Sequence, residues 1–129
     1  MMREVEKQKM RNVYDIAYEL AAALKESSEF KRFKAAKEKV EKDEKLKQMI
    51  SDFKKKQFEL EQKRLKGEEV TSSDVYSLQQ LYQIISLNPD IEEYLSAEMM
   101  LAKIIADISK IIADSIELKD ELWGFGENK

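Results

Sequence analysis

A chain of 129 residues, 43% hydrophobic and 38% charged, holds enough apolar mass for one core inside a heavily charged shell. It contains no cysteine and no histidine. That excludes disulfides, thiolate-held clusters and cysteine nucleophiles, and removes the usual neutral-pH general base and the commonest metal ligand.

With only three Gly and one Pro, long uninterrupted helices are predicted rather than a sheet with tight turns. The net charge of −3 conceals a split along the chain. Residues 29–66 carry 14 basic and 8 acidic side chains, a balance of +6, while residues 67–129 carry 4 and 13, a balance of −9. Such a split is neutralised inside one chain, neutralised between subunits, or left as a basic face for an anionic partner. The chain has no apolar run of membrane-spanning length and no signal-peptide stretch, so a cytoplasmic protein without membrane insertion is expected.

At 100° per residue, Val13, Ile16, Ala17, Leu20 and Leu24 fall within an arc of about 100°, predicting a first amphipathic helix over 5–26. Ser27-Ser28 can interrupt it and cap the next helix. That second helix, about 29–42, places Phe30, Phe33, Ala36 and Val40 on one face, and the two phenylalanines are expected to carry most of its docking. Asp43 is a candidate N-cap for a third helix with Leu46, Met49, Ile50, Phe53 and Leu60 on one side, ending near Lys66 at Gly67. No Gly or Pro separates helices two and three, so one bent helix is the alternative.

Thr71 and Asp74 have capping-box spacing, with Ser72 a rival cap. Val75, Leu78, Leu81, Tyr82 and Ile85 line the fourth helix that follows. Asn88 can cap a fifth, with Pro89 in its first turn, where a missing N–H costs nothing. From Pro89 to about Leu122 no breaker occurs, which predicts a helix of about 50 Å. Leu101, Ile104, Ile105, Ile108, Ile111, Ile112, Ile116 and Leu118 span about 160° of it, with Ala102, Ala106, Ser109 and Ala113 beside them and Lys103, Asp107, Lys110 and Asp114 opposite. A helix this long outruns its neighbours. Leu101, Ile105, Ile108, Ile112 and Ile116 are therefore the candidate surface for a homodimer, a higher homo-oligomer or a protein partner.

The expected fold is thus all-α: one domain over 1–129, an antiparallel bundle of about five helices with a long C-terminal helix, dimerising. Its core covers about 5–122, followed by a flexible or docked tail at 123–129 that holds Trp123 and Phe125.

No catalytic residues, cofactor or metal are expected. The carboxylates sit mostly on polar faces, where nothing pushes their pKa values apart, and a dinuclear metal bundle needs Glu-x-x-His. The three glycines stand at 67, 124 and 126 and make no phosphate loop. Lys54, Lys55, Lys56, Lys63 and Arg64 form the candidate anion-binding stripe. Consecutive lysines on a helix point 100° apart, however, so no compact patch results and nucleic acid is not the expected partner.

The stretches Tyr14-Asp15 to Leu20-Ala21, Leu24-Lys25-Glu26-Ser27, Phe30-Lys31-Arg32-Phe33, Asp43-Glu44-Lys45-Leu46 and Asp52-Phe53-Lys54-Lys55-Lys56-Gln57 occur in an order that resembles the YlbF/YmcA/YheA family of small bacterial proteins. The likeness is clearest from Leu87-Asn88-Pro89-Asp90-Ile91 through Tyr94-Leu95 to Glu98, and it spans roughly residues 12–118. The resemblance implies a helical, usually dimeric protein of a Firmicute-like bacterium. Its best-known members are accessory regulators of competence, sporulation and biofilm formation. Two of them join a third protein in a complex that influences RNA processing through a membrane-associated endoribonuclease.

The regulatory members look to carry cysteines tied to an Fe–S cluster. This chain has none, so neither the cluster nor a place in that complex is carried over, and the cysteine-free YheA-like branch is the better match. Asn88, Pro89, Ile91, Tyr94, Leu95 and Glu98 are the motif residues. Asn88 is expected to cap, Pro89 to start the turn, and Ile91, Tyr94 and Leu95 to pack against helices one and four.

The expected function is a non-enzymatic protein-interaction and regulatory module. The alternatives are a weak RNA-binding accessory acting in RNA processing and a purely structural coiled-coil-like dimer.

Overall fold

The computed structural model describes residues 11–118. Five helices follow in order: α1 Val13–Glu26, α2 Ser28–Glu41, α3 Glu44–Leu65, α4 Ser72–Ile85 and α5 Pro89–Ser115. Each begins at a side-chain cap that satisfies first-turn N–H groups. Asn12 accepts from Tyr14 N, Ser27 from Phe30 N, and Asp43 from Lys45 N and Leu46 N. Thr71 and Asp74 complete a reciprocal capping box. Asn88 accepts from Asp90 N and Ile91 N, with Pro89 in the first turn.

Helices two and three are separate. After Lys42 the chain turns at Asp43, whose backbone is extended (φ −118°, ψ 107°) because its carboxylate closes the next helix's first turn. Residues 5–10, expected at the start of α1, lie outside the described residues, as does the tail at 123–129.

The long helix is shorter than its sequence suggests. α5 has 27 residues, about 40 Å, and stops at Ser115 rather than near Leu122. Its end is a Schellman motif: Leu118 N donates to Ala113 O and Glu117 N to Asp114 O, with Glu117 at φ 56°. The end of α3 is built the same way, with Gly67 (φ 81°) in the left-handed position. Glycine takes that conformation freely and glutamate does not, which is why composition announces one stop and hides the other.

The core joins α2, α3, α4 and α5. Ala36 and Val40 meet Leu46, Ile50 and Phe53, Ile85 at the end of α4, and Ile91, Tyr94 and Leu95. α2 lies antiparallel along the first half of α5, since Arg32 reaches Glu93 and Ser96 while Lys39 approaches Asp90. α3 and α4 form an antiparallel hairpin, fastened near the turn by Lys63–Asp74 and farther down by the Phe53 and Tyr82 rings, 5.7 Å apart.

Within α2, Ala36 and Val40 are the buried residues and Phe33 packs partly buried against the core. The docking therefore rests on small and branched residues as much as on phenylalanine. α1 contributes nothing to this core, since none of its residues is buried.

Candidate functional site

The motif at the start of α5 organises the centre of the molecule. Asn88 Oδ1 accepts from Asp90 N at 2.9 Å and Ile91 N at 3.2 Å, which fixes the helix start. Ile91 is completely buried, and Tyr94 and Leu95 nearly so. Tyr94 stacks on Phe33 of α2 with centroids 5.7 Å apart. Its hydroxyl accepts from Lys54 Nζ of α3 at 3.1 Å and donates to Glu98 at 3.3 Å.

Lys54 also pairs directly with Glu98, and its ammonium lies 5.0 Å from the Tyr94 ring centroid. Burial pushes the Lys54 ammonium down, but hydrogen bonds to Glu98 and Tyr94 outweigh it and leave Lys54 above its ordinary value. This is a brace across three helices. The expectation that these residues pack against helices one and four is corrected: they meet α2 and α3, plus Ile85 at the end of α4, because α1 stands outside the core.

The candidate anion stripe is largely consumed by internal pairing. Lys54 is held by Glu98, Lys63 bonds Asp74 at 2.8 Å, and Arg64 pairs with Glu61. Hydrogen bonding to Lys63, then to the Thr71 backbone, lowers the Asp74 carboxyl below its usual range. Arg32 grips Glu93 through two nitrogens, at 2.6 and 3.0 Å, and that hydrogen bonding lowers Glu93 and raises Arg32.

Four of these bridges, Arg32–Glu93, Lys39–Asp90, Lys54–Glu98 and Lys63–Asp74, run from the basic middle of the chain to its acidic last part. The charge split read in the sequence is thus met within one chain. Lys55 and Lys56 form no ion pair with the described residues, and they leave α3 in directions 100° apart.

Concave ground is shallow. A groove of about 600 Å³ beside Lys54 is lined by Gln57, Phe58, Glu61 and Glu98 and opens widely to solvent, unlike the mostly apolar, enclosing sites that hold small ligands. Among the described residues no cluster of three or more Asp or Glu side chains is placed to hold a metal ion.

What remains uncovered is apolar. On the far half of α5, Ile105, Ile112 and Ile116 are 48%, 47% and 63% exposed, and Leu101 and Ile108 only half-buried. The sequence pointed to this face. It missed a second one. On α1, Val13 is 72% exposed and Ile16 and Leu20 about 40%, with Tyr14 and Tyr18 also in solvent. The amphipathic pattern of α1 shows that the helix has an apolar side, without showing that its own chain fails to cover it.

The same arrangement of helices is found in known proteins. The family model described as control of competence regulator ComK, YlbF/YmcA, matches residues 13–117. The chain belongs to this family.

A UPF0342 protein of Caldicellulosiruptor bescii is 95% identical over 118 residues, covering 92% of this chain and 99% of that protein. The UPF0342 protein YheA of Bacillus subtilis is 35% identical over 113 residues, covering 88% and 94%. In three dimensions, a solved structure of YheA from Bacillus subtilis is similar with a TM-score of 0.62 at 27% identity, covering 83% of this chain and 97% of that one. A protein of unknown function (DUF964) from Bacillus stearothermophilus shares the fold with a TM-score of 0.72 at 22% identity, covering 81% and 92%. The all-helical fold and the YheA-like resemblance both stand. Among the described residues no helix is long and apolar enough to cross a membrane.

Proposed function

We propose that this chain is a non-enzymatic protein-interaction module of the cytoplasm, an accessory regulator of the competence, sporulation and biofilm type. The observation that carries this reading is the contrast between its two kinds of surface. The charged side chains are largely tied to one another across helices, whereas the apolar faces of α1 and the far half of α5 lie open. Exposed apolar ground on this scale marks a protein contact. The family's description as a control element for a competence regulator supports the same reading.

The test uses the full chain as bait in a bacterial lysate, with nuclease and at high salt, followed by rebinding of the captured protein to the purified chain. A discrete partner that survives both treatments and rebinds with fixed stoichiometry is expected, because apolar docking hardly responds to salt. Capture that vanishes with nuclease, or falls steeply with salt as phosphate contacts do, overturns the module reading. It would then favour an RNA-binding accessory using Lys55 and Lys56. Absence of any partner leaves a purely structural dimer.

A further inference from the structure

α1 and the far half of α5 are two uncovered apolar faces that match each other in length, chemistry and extent. α1 is a 14-residue helix, about 21 Å, that meets the rest of the described chain chiefly through α2 across the Ser27 break. Isolated helices of this length are marginal in water, and none of its residues is buried in its own chain. Something outside the chain must cover it.

The stretch of α5 from Leu101 to Ile116 is about 24 Å long. At 100° per residue, Ile105, Ile112 and Ile116 lie on the same side of α5 as Ile91 and Tyr94. They therefore continue, into open solvent, the face that α2 covers on the first half. Ser27, with an extended backbone (φ −70°, ψ 150°), breaks the run from α1 into α2.

Neither face buries a charge when covered. Asp15 and Glu19 lie opposite Ile16 and Leu20 on α1, and Lys103, Asp107 and Asp114 lie opposite Ile105 and Ile112 on α5. Whole aromatic side chains bury roughly 150–250 Å² and aliphatic ones somewhat less. On that scale the uncovered fractions of the two helices come to about 1,000 Å² per chain, against about 800 Å² per partner in a stable interface.

We propose that the occupant of each face is a second copy of this chain, with α1 of one protomer lying along the far half of α5 of its partner and the contact made twice about a two-fold axis. The proposal rests on the reading of the chain as an interaction module, and names which of its surfaces the chain itself occupies.

Two double variants of the full chain test it, Ile16→Asp with Leu20→Asp on α1 and Ile105→Asp with Ile112→Asp on α5, by sedimentation equilibrium. The wild type is expected to be a dimer. Each variant alone is expected to be monomeric, its dissociation constant raised by roughly a hundredfold or more by carboxylates driven into an apolar contact. An equimolar mixture of the two variants is expected to dimerise again, because the intact α5 of the first meets the intact α1 of the second.

A wild type that stays monomeric overturns the proposal. So does an α1 variant that remains dimeric, which means α5 pairs with α5, or an α5 variant that remains dimeric, which means α1 pairs with α1. Failure of the mixture to dimerise also overturns it. All four positions lie outside the buried core, so cooperative thermal unfolding is retained. If either aspartate variant loses it, Leu20→Ser and Ile112→Ser repeat the mixing experiment. A monomeric wild type that still captures a salt-resistant partner from lysate would sink this proposal and leave the functional reading standing.

Discussion

Two isoleucines on the same helix have opposite fates, and truncating each measures where the core ends. Ile91 is fully buried against α2 and α3, whereas Ile112, twenty-one residues on, is 47% exposed. Ile91→Ala removes three buried carbons, worth about 2.4 kcal/mol at 0.8 kcal/mol each. It also leaves a cavity that the capped start of α5 cannot close, bringing the total to about 3–4 kcal/mol.

With a urea dependence of about 2 kcal/mol/M, the unfolding midpoint followed by circular dichroism should fall by roughly 1.5–2 M. Ile112→Ala should cost less than about 1 kcal/mol at dilute protein. Its cost should grow with protein concentration, because its partner is then another chain. A loss below about 1 kcal/mol for Ile91→Ala, or equal concentration-independent losses for both, would refute the assignment of the core to the first half of α5.

Asn88→Ala deletes the acceptor for two first-turn amides and should cost about 1 kcal/mol in a denaturant titration, whereas Asn88→Gly should cost only a few tenths. Glu117→Gly relieves a left-handed glutamate at the end of α5 and should raise stability by up to about 1 kcal/mol, read as a higher melting temperature. The Asp74 carboxyl titrates lower in the folded chain than in the unfolded one, so its contribution is complete above the unfolded value near pH 4 and is lost as pH falls through the lowered folded value. Asp74→Asn should accordingly flatten the acid limb of the stability profile below about pH 4 while leaving the neutral plateau close to its level, measured by urea midpoints across pH.

How much of this was legible in the sequence depends on how local the physics is. Ser27, Asp43, Thr71 with Asp74, and Asn88 all act as the caps their spacing suggests, because a cap needs only the three residues after it. Asp43 even decides the continuity question between α2 and α3, although no Gly or Pro stands there.

The end of α5 was not legible. Glu117 takes a conformation that glycine usually takes, and it is stabilised by Leu118 returning to Ala113, a contact that composition does not reveal. The partners of Tyr94 were not legible either. An apolar stripe announces that a face will be covered, and only the bend at Ser27, which sets α1 off from the core, decides that α2 and α3 cover it.

The charge split is the clearest case of a signal whose meaning the third dimension had to supply. A basic middle and an acidic end read equally well as an anion-binding face or as two halves of one electrostatic fit. Arg32, Lys39, Lys54 and Lys63 each find a carboxylate from the acidic part of the chain. Pairs this exposed add little stability apiece. They do fix register, because sliding α5 along α2 by one turn would separate Arg32 from Glu93 and Lys39 from Asp90 together. The same charges that look like a ligand surface in one dimension therefore hold α5 in place. That leaves its far half projecting at a set height, with Ile105, Ile112 and Ile116 presented to whatever docks there.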